Sequence, residues 1–591
     1  MARLAGRTLR GLLLLLGAVT LIGAGGGAYA LLKLRSPPSL PQSTAGLVLR
    51  LDLTRAPTDA GPMHPVAQAL NPGQAQPRLR DVIEAIDRAA RDSRIQRLEA
   101  RVIAGCCGSL PHVQEIRAAV LRFRASGKPT LVHAESFGES QPGTAAYYLA
   151  SAFRTISMPA IGSLQITGLR LEAPFAAEAL AMLGVEAQFG HRGDYKSGPE
   201  TWTNSAPSPA NLAMLNSLAD DLFGQVVDGI ASARNLDAEA VQLAIDHAPL
   251  TAPEALQAKL IDSLAFERDA FQAGSDNLIR VSVRSYLAAG RPSPVAGTRI
   301  AMIYASGGIE DPDSSGPARP GSIAPRPLAA ALARAIDDTE VRGILLRLDT
   351  QGGSPTGSAL VGAEIERARR LGKPVVVSMM GYAASGGYWI ASHAAGIVAH
   401  PASLTGSIGV YAGKINFVRL MDTLQVHWAA VERGANASIN SPFVRYGERE
   451  MERLNASLDN TYRQFLRVVG AGRGLSEDEV LAVAGGRVWT GRQALERKLV
   501  DRLGGLEEAE ALLREKLGLP ADAPLDLQAS EPAEGALSTI VKALMPQQSL
   551  PFLGGSAASS IGVPSQLSSA LSAMEELGGR GALSMMPLAI R

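Results

Sequence analysis

Cysteine is nearly absent: two in 591 residues are too few for a disulfide framework. They are neighbours, Cys106-Cys107, where a mutual bridge would close a strained ring, so they read as two small buried apolar residues. Aromatic residues are sparse at 5%, and charged residues make up 19% against a hydrophobic fraction of 46%. A disordered chain would have few apolar residues and a large net charge, so this composition belongs to a folded protein with a sizeable core. Net charge is also missing, with 57 Lys plus Arg against 56 Asp plus Glu and no run of five cations. Lacking a basic field, the chain is not expected to take nucleic acid as a partner. It has no His-Glu-x-x-His and no cysteine cluster for zinc. It has no Gly-x-x-x-x-Gly-Lys loop either, because the residues five before Gly127, Gly372 and Gly413 are Arg122, Arg367 and Ile408. No metal and no cofactor is expected.

What charge there is lies unevenly. Residues 1–45 hold Arg3, Arg7, Arg10, Lys33 and Arg35 and no acid, which leaves 52 cations against 56 acids in a mildly acidic body. Gly11 to Leu32 is uncharged for 22 residues, and as a helix it reaches about 33 Å, enough to span a bilayer once. A cleaved signal is the competing reading, since Ala28-Tyr29-Ala30 fits a small-x-small cleavage site. Three arginines before the segment place residues 1–10 on the cytoplasmic side. Either reading exports the body. Residues 33–46 form a Pro/Ser-rich linker away from the membrane.

The body alternates strand-length apolar runs with amphipathic helices, the pattern of α/β layers with parallel pairing, and it repeats. Arg124-Ala125-Ser126-Gly127-Lys128-Pro129-Thr130-Leu131-Val132 matches Arg369 to Val377 at an offset of 245. Tyr148-Leu149-Ala150-Ser151 matches Trp389-Ile390-Ala391-Ser392 at 241, and Leu215 to Gln225 matches Leu454 to Gln464 at 239. Ordered matches at so long a period signal two homologous domains, unlike the short periods of solenoids. The boundaries are drawn at 47–290 and 298–519, with a low-complexity tail over 520–591. In the second copy the reading is a helix from Pro327 to Asp337, a strand from Val341 to Leu348, a Gly-rich turn and a helix from Ala359 to Leu371. A strand from Pro374 to Met379 follows, and Ala383-Ala384-Ser385-Gly386-Gly387 opens the next helix.

Glycine-rich turns at strand ends are where substrate backbone can approach and helix amides point outward. Ser385 has the setting of a nucleophile, and the amide of Gly386 with one from Gly352 or Gly353 would hold an oxyanion. A serine that only caps a helix would look the same. A nucleophilic serine needs a base. His393 lies eight residues along the same helix, about 12 Å away, and cannot reach the hydroxyl. A lysine serves if burial depresses its pKa, and Lys196 in Gly193-Asp194-Tyr195-Lys196-Ser197-Gly198 is the candidate, although loop lysines are ordinarily solvated. Across the repeat, Lys196 falls opposite Ala437 and Ser385 opposite Thr144, so each copy holds one of the two.

Four motifs carry a resemblance: Leu346 to Ser354, Ala383 to Tyr388, Thr405-Gly406-Ser407-Ile408-Gly409-Val410, and Tyr195-Lys196-Ser197. Together they resemble signal peptide peptidase A (protease IV), in its long, two-domain, membrane-anchored bacterial form. The resemblance implies a serine peptidase with Ser385 as nucleophile and Lys196 as general base. It implies two tandem Clp protease/crotonase-like domains behind one transmembrane helix, a homotetramer, and Thr405 to Val410 lining the substrate groove. It further implies apolar peptides and remnant signal peptides as substrates, at the bacterial inner membrane with the body on the periplasmic side. The family turn is commonly Asn-Ser-Pro-Gly-Gly, whereas Asp349-Thr350-Gln351-Gly352-Gly353 has no proline. A crotonase-like acyl-thioester enzyme would share the turns without needing Ser385 or Lys196, and a non-catalytic membrane-anchored scaffold would need neither.

Overall fold

The computed structural model describes residues 46–59, 77–139, 141–272, 278–289, 297–313, 321–530 and 589–590. The apolar segment 11–32, most of the linker, the junction 290–296 and most of the tail lie outside the described residues. Among the described residues, no helix is long and apolar enough to cross a membrane.

The first copy carries β1 (Leu47–Leu53), β2 (Ile95–Val102), β3 (Thr130–His133), β4 (Thr155–Met158), β5 (Ser163–Leu164), β6 (Leu171–Glu172), β7 (Glu186–Arg192), β8 (Leu250–Thr251), β9 (Ser263–Leu264) and β10 (Ile279–Ser282). The second carries β11 (Thr298–Ser306), β12 (Gly308–Ile309), β13 (Ser322–Ile323), β14 (Gly343–Thr350), β15 (Val375–Ala384), β16 (Gly396–Ala399), β17 (Leu404–Gly406), β18 (Val410–Asn416), β19 (Val488–Thr490), β20 (Arg502–Leu503) and β21 (Leu525–Ala529). The first sheet is parallel in the order β10-β1-β2-β3-β4-β9. The second repeats that order as β21-β11-β14-β15-β16-β20. Even the small antiparallel pair recurs, β5 with β8 and β17 with β19. The shared connectivity is the structural form of the sequence repeat.

The recurring Gly-Lys-Pro has a physical cause. Lys128 Nζ donates to the carbonyls of Ala89 and Asp92, and Lys373 Nζ to those of Ala335, Ile336 and Asp338. In both copies the lysine satisfies open carbonyls at the end of the preceding helix, Leu79–Arg91 or Pro325–Asp337, where a cation also suits the helix dipole. Those helices bury one stripe each, Val82, Ile83, Ile86 and Ala89 in the first and Leu328, Leu332, Ala335 and Ile336 in the second.

Three features differ from the sequence reading. The strand expected to end at Met379 runs on to Ala384, because its distal part pairs with β17 and delivers the chain directly to Ser385. Residues 525–529, beyond the boundary drawn at 519, form the edge strand β21 beside β11. Cys106 and Cys107 are joined to each other as a disulfide and are not two free apolar side chains. They stay buried, in a loop where Gly105 and Gly108 both take positive φ and make the tight path between β2 and the helix Leu110–Ala125 possible. β22 (Ala589–Ile590) pairs antiparallel with β6.

The two copies meet through strand pairing and buried polar groups. β7 of the first runs antiparallel to β18 of the second over seven residue pairs, Glu186 opposite Asn416 through Arg192 opposite Val410. On another face Arg347 is buried against Asp59 (2.8 Å) and Glu115, and Glu115 also accepts from the Leu506 amide at 2.8 Å and lies 3.3 Å from His400 Nε2. Burial raises the Glu115 carboxyl, but Arg347 and then His400 outweigh it and hold it well below the usual carboxylate range. His400, on the strand side of the helix that follows Ser385, is thus committed to the domain contact.

Candidate active site

β7 ends at Arg192, and the next turn carries Lys196. β18 begins at Val410, just after Ser407. Pairing these two strands therefore sets Lys196 of the first copy against Ser385 and Ser407 of the second. Lys196 Nζ lies 2.9 Å from Ser385 Oγ, 2.9 Å from Ser407 Oγ and 3.0 Å from the Ser407 carbonyl oxygen. Lys196 is 4% exposed, and burial lowers its ammonium pKa from 10.5 to about 7. An amine poised there is a competent proton acceptor at neutral pH.

A glycine loop holds the lysine backbone. The Tyr195 N–H donates to the Gly485 carbonyl at 2.9 Å, and Gly486, at φ +80°, packs so closely that a Cβ would sit 2.5 Å from Lys196 N. Sequence reasoning passed over this loop; the paired glycines Gly485-Gly486 were its visible signal.

Ser385 stands between β15 and the helix Gly386–Ser392 with φ 54° and ψ −116°, a conformation strained for a side chain with Cβ. The turn is enforced by the Ser385 N–H donating to the Gly406 carbonyl at 2.8 Å. Strain of this kind presents a side chain at the end of a strand, clear of its neighbours.

The three glycines expected around an oxyanion separate into two kinds. The Gly352 N–H is already spent on Thr350 Oγ1 at 3.0 Å. Gly353 bridges Ile309 through its neighbours' groups, with Ile309 N donating to the Gly352 carbonyl and Ser354 N to the Ile309 carbonyl. Among the described residues the Gly353 N–H is left over, as is that of Gly386 in the first turn of its helix. A Cβ on Gly386 would lie 3.3 Å from Gly353 N, so the two amides are neighbours.

Of the six residues expected to line the groove, Ser407 alone borders the cavity beside Lys196. Thr405 and Ile408 are fully buried: Thr405 Oγ1 donates to the Ala383 carbonyl at 2.7 Å, and Ile408 belongs to the hydrophobic core with Trp389 and Phe465. Gly406 is taken up in pairing with Val488, Gly409 packs on Gly486, and Val410 pairs with Arg192. Ser407, at φ 50°, thus acts on the lysine more than on a groove. His393 packs beside Gly362 and 4.0 Å from Glu366, away from this centre. At the matching place in the first copy, Thr144 Oγ1 donates to the Gly168 carbonyl at 3.0 Å, and the position matching Lys196 in the second copy is Ala437. Among the described residues no cluster of His, Cys, Asp and Glu is fit to hold a metal ion.

The pattern that defines peptidase family S49 matches this chain twice, over residues 122–278 and 367–519, once in each copy. Over 451 residues the chain is 31% identical to Protease 4 of Salmonella typhi, covering 73% of this chain and 71% of that protein. The chain belongs to peptidase family S49. It is a serine peptidase. A second relative, the chloroplastic serine protease SPPA of Arabidopsis thaliana, is 28% identical over 514 residues, covering 83% of this chain and 71% of that protein. A putative signal peptide peptidase SppA from Enterococcus faecium matches a shorter stretch, 34% identical over 181 residues, 30% of this chain and 53% of that one. The family assignment sets aside the acyl-thioester enzyme as a reading of the fold.

Proposed function

We propose that this S49 peptidase is a membrane-anchored endopeptidase that uses Ser385 and Lys196 as a catalytic dyad to degrade remnant signal peptides and other apolar peptides. The observation that carries the reading is the buried Lys196 amine at 2.9 Å from Ser385 Oγ, where burial brings its pKa down to about 7. Neutral Lys196 takes the Ser385 proton as Oγ attacks the scissile carbonyl carbon. The resulting oxyanion accepts from the N–H groups of Gly353 and Gly386. The Lys196 ammonium then gives its proton to the leaving amine as the C–N bond breaks, leaving an acyl ester on Ser385. Water, losing a proton to Lys196, attacks that ester and releases the acid, and the proton returns to Ser385. No step calls for a cofactor.

The anchor at residues 11–32, the Clp protease/crotonase-like layout of both copies and a place at the bacterial inner membrane, with the body on the periplasmic side, belong to the same reading. So does a homo-oligomer. β7 finds its partner in β18, but its counterpart in the second copy, residues 427–433, forms no strand and is exposed, with Trp428 at 60% and Val431 at 86%. A second copy of the chain offering its β6 region, in place of the β22 that pairs with β6 within the chain, would pair with it as β18 pairs with β7, which supports assembly around a closed ring.

The test substitutes Ser385→Ala and Lys196→Ala separately and assays a fluorogenic apolar peptide and a synthetic signal peptide in detergent micelles. Each variant is expected to lose at least about a thousandfold in kcat/KM. Two variants that cleave as well as the parent would sink the dyad.

A further inference from the structure

The small cavity beside the dyad has a hydrogen-bonding side chain in its wall that no described residue engages. Lys196, Ser407, Ala384, Tyr411, Val488 and Gln351 border a space of about 20 Å³, room for roughly one water-sized group. Gln351 directly precedes the oxyanion turn and is half-buried. Other polar side chains of that turn are engaged, Thr350 Oγ1 by the Gly352 N–H and Ser354 Oγ by the Gly357 N–H. The Gln351 carboxamide has no hydrogen-bond partner among the described residues, although it offers two donors and an acceptor. A peptide side chain that fills the cavity shuts these groups off from solvent. A polar group closed off without a partner is penalised more than a matched one is rewarded, and sites built this way discriminate by hydrogen bonding where size alone does not.

We propose that Gln351 is a specificity-determining residue: its carboxamide makes the site prefer peptides that place a small hydroxyl side chain, serine, in the cavity over those that place alanine there. Leucine is rejected by volume. The inference rests on the Ser385/Lys196 reading and deepens it by naming the substrate class.

The test uses the full-length protein in detergent micelles and fluorogenic apolar peptides that differ only by Ser, Ala or Leu at each position flanking the scissile bond, with cleavage sites confirmed by mass spectrometry. At one position the parent is expected to favour Ser over Ala by about three- to tenfold in kcat/KM and to cut the Leu peptide poorly. Gln351→Met keeps the side-chain length without the carboxamide and is expected to bring that ratio to about one while still cutting the Ala peptide. Gln351→Asn, which draws the carboxamide back by one methylene, loses part of the ratio and serves if the Met variant does not fold. The inference is overturned if the parent shows no Ser preference at any position, if the ratio survives in these variants, or if Ser and Ala peptides decline in equal proportion. Lys196→Ala separates the two ideas. If it cuts the peptides at the parent's rate, the dyad reading fails and takes this inference with it; if it is inactive and only the ratio fails to respond to Gln351, the inference falls alone.

Discussion

Replacing Lys196 with methionine separates the electrostatic cost of the site from its chemistry. Burial brings the Lys196 ammonium from 10.5 to about 7. Between those values the unfolded chain carries the proton and the folded protein does not. Unfolding therefore takes up a proton, and the stability of the parent rises with pH across the window from about 7 to 10.5. At about 1.4 kcal/mol per unit, holding the amine inside costs the fold about 5 kcal/mol below pH 7, about 2 kcal/mol at pH 9 and nothing above 10.5. Lys196→Met removes this cost. It also removes the amine's hydrogen bonds to Ser385 and Ser407; the part of that loss that changes with protonation is already contained in the pKa shift, and the remainder is a constant offset. The stability gained by the variant over the parent should consequently shrink by about 3 kcal/mol between pH 6 and pH 9. For a domain of this size that is a narrowing of roughly 6–12 °C in the difference between the two Tm values. Calorimetric scans of both proteins at pH 6, 7, 8 and 9 measure it. A difference that stays constant, or widens as pH rises, would refute the assignment of a desolvated lysine that titrates near neutrality at this position.

Two further predictions follow from the site and the domain contact. Ser407→Ala deletes the hydroxyl 2.9 Å from Lys196 Nζ and leaves the carbonyl contact in place; kcat is expected to fall about ten- to a hundredfold with little change in KM, and a proportionate rise in KM would instead make Ser407 a substrate contact. Arg347→Met leaves Asp59 and Glu115 buried without their cation, which should cost about 3–5 kcal/mol at pH 8. The stability tied to the depressed Glu115 carboxyl is present above its unfolded value of 4.5 and lost in acid. Denaturant titrations should therefore show a smaller penalty near pH 4 than at pH 8.

The primary structure determined the repeat, because Gly-Lys-Pro and the matching Tyr148 and Trp389 segments answer to local needs: a helix end to be capped and a helix face to be buried. It also singled out Ser385 and Lys196, since a serine among small residues at a strand end and a lysine present in only one copy are visible without coordinates. Tertiary structure alone decided the rest. Whether the Gly352 or the Gly353 amide is open depends on where Thr350 Oγ1 and Ile309 lie. That Ser407 serves the lysine while Thr405 and Ile408 face inward depends on β17 being clasped between β15 and β19. β21 finds a role only beside β11, more than two hundred residues earlier. A backbone group or side chain is available for chemistry when no other part of the chain has claimed it, and those claims are made by strands distant in sequence. The same holds for the lysine itself, whose low pKa is a property of the domain contact formed by β7 and β18.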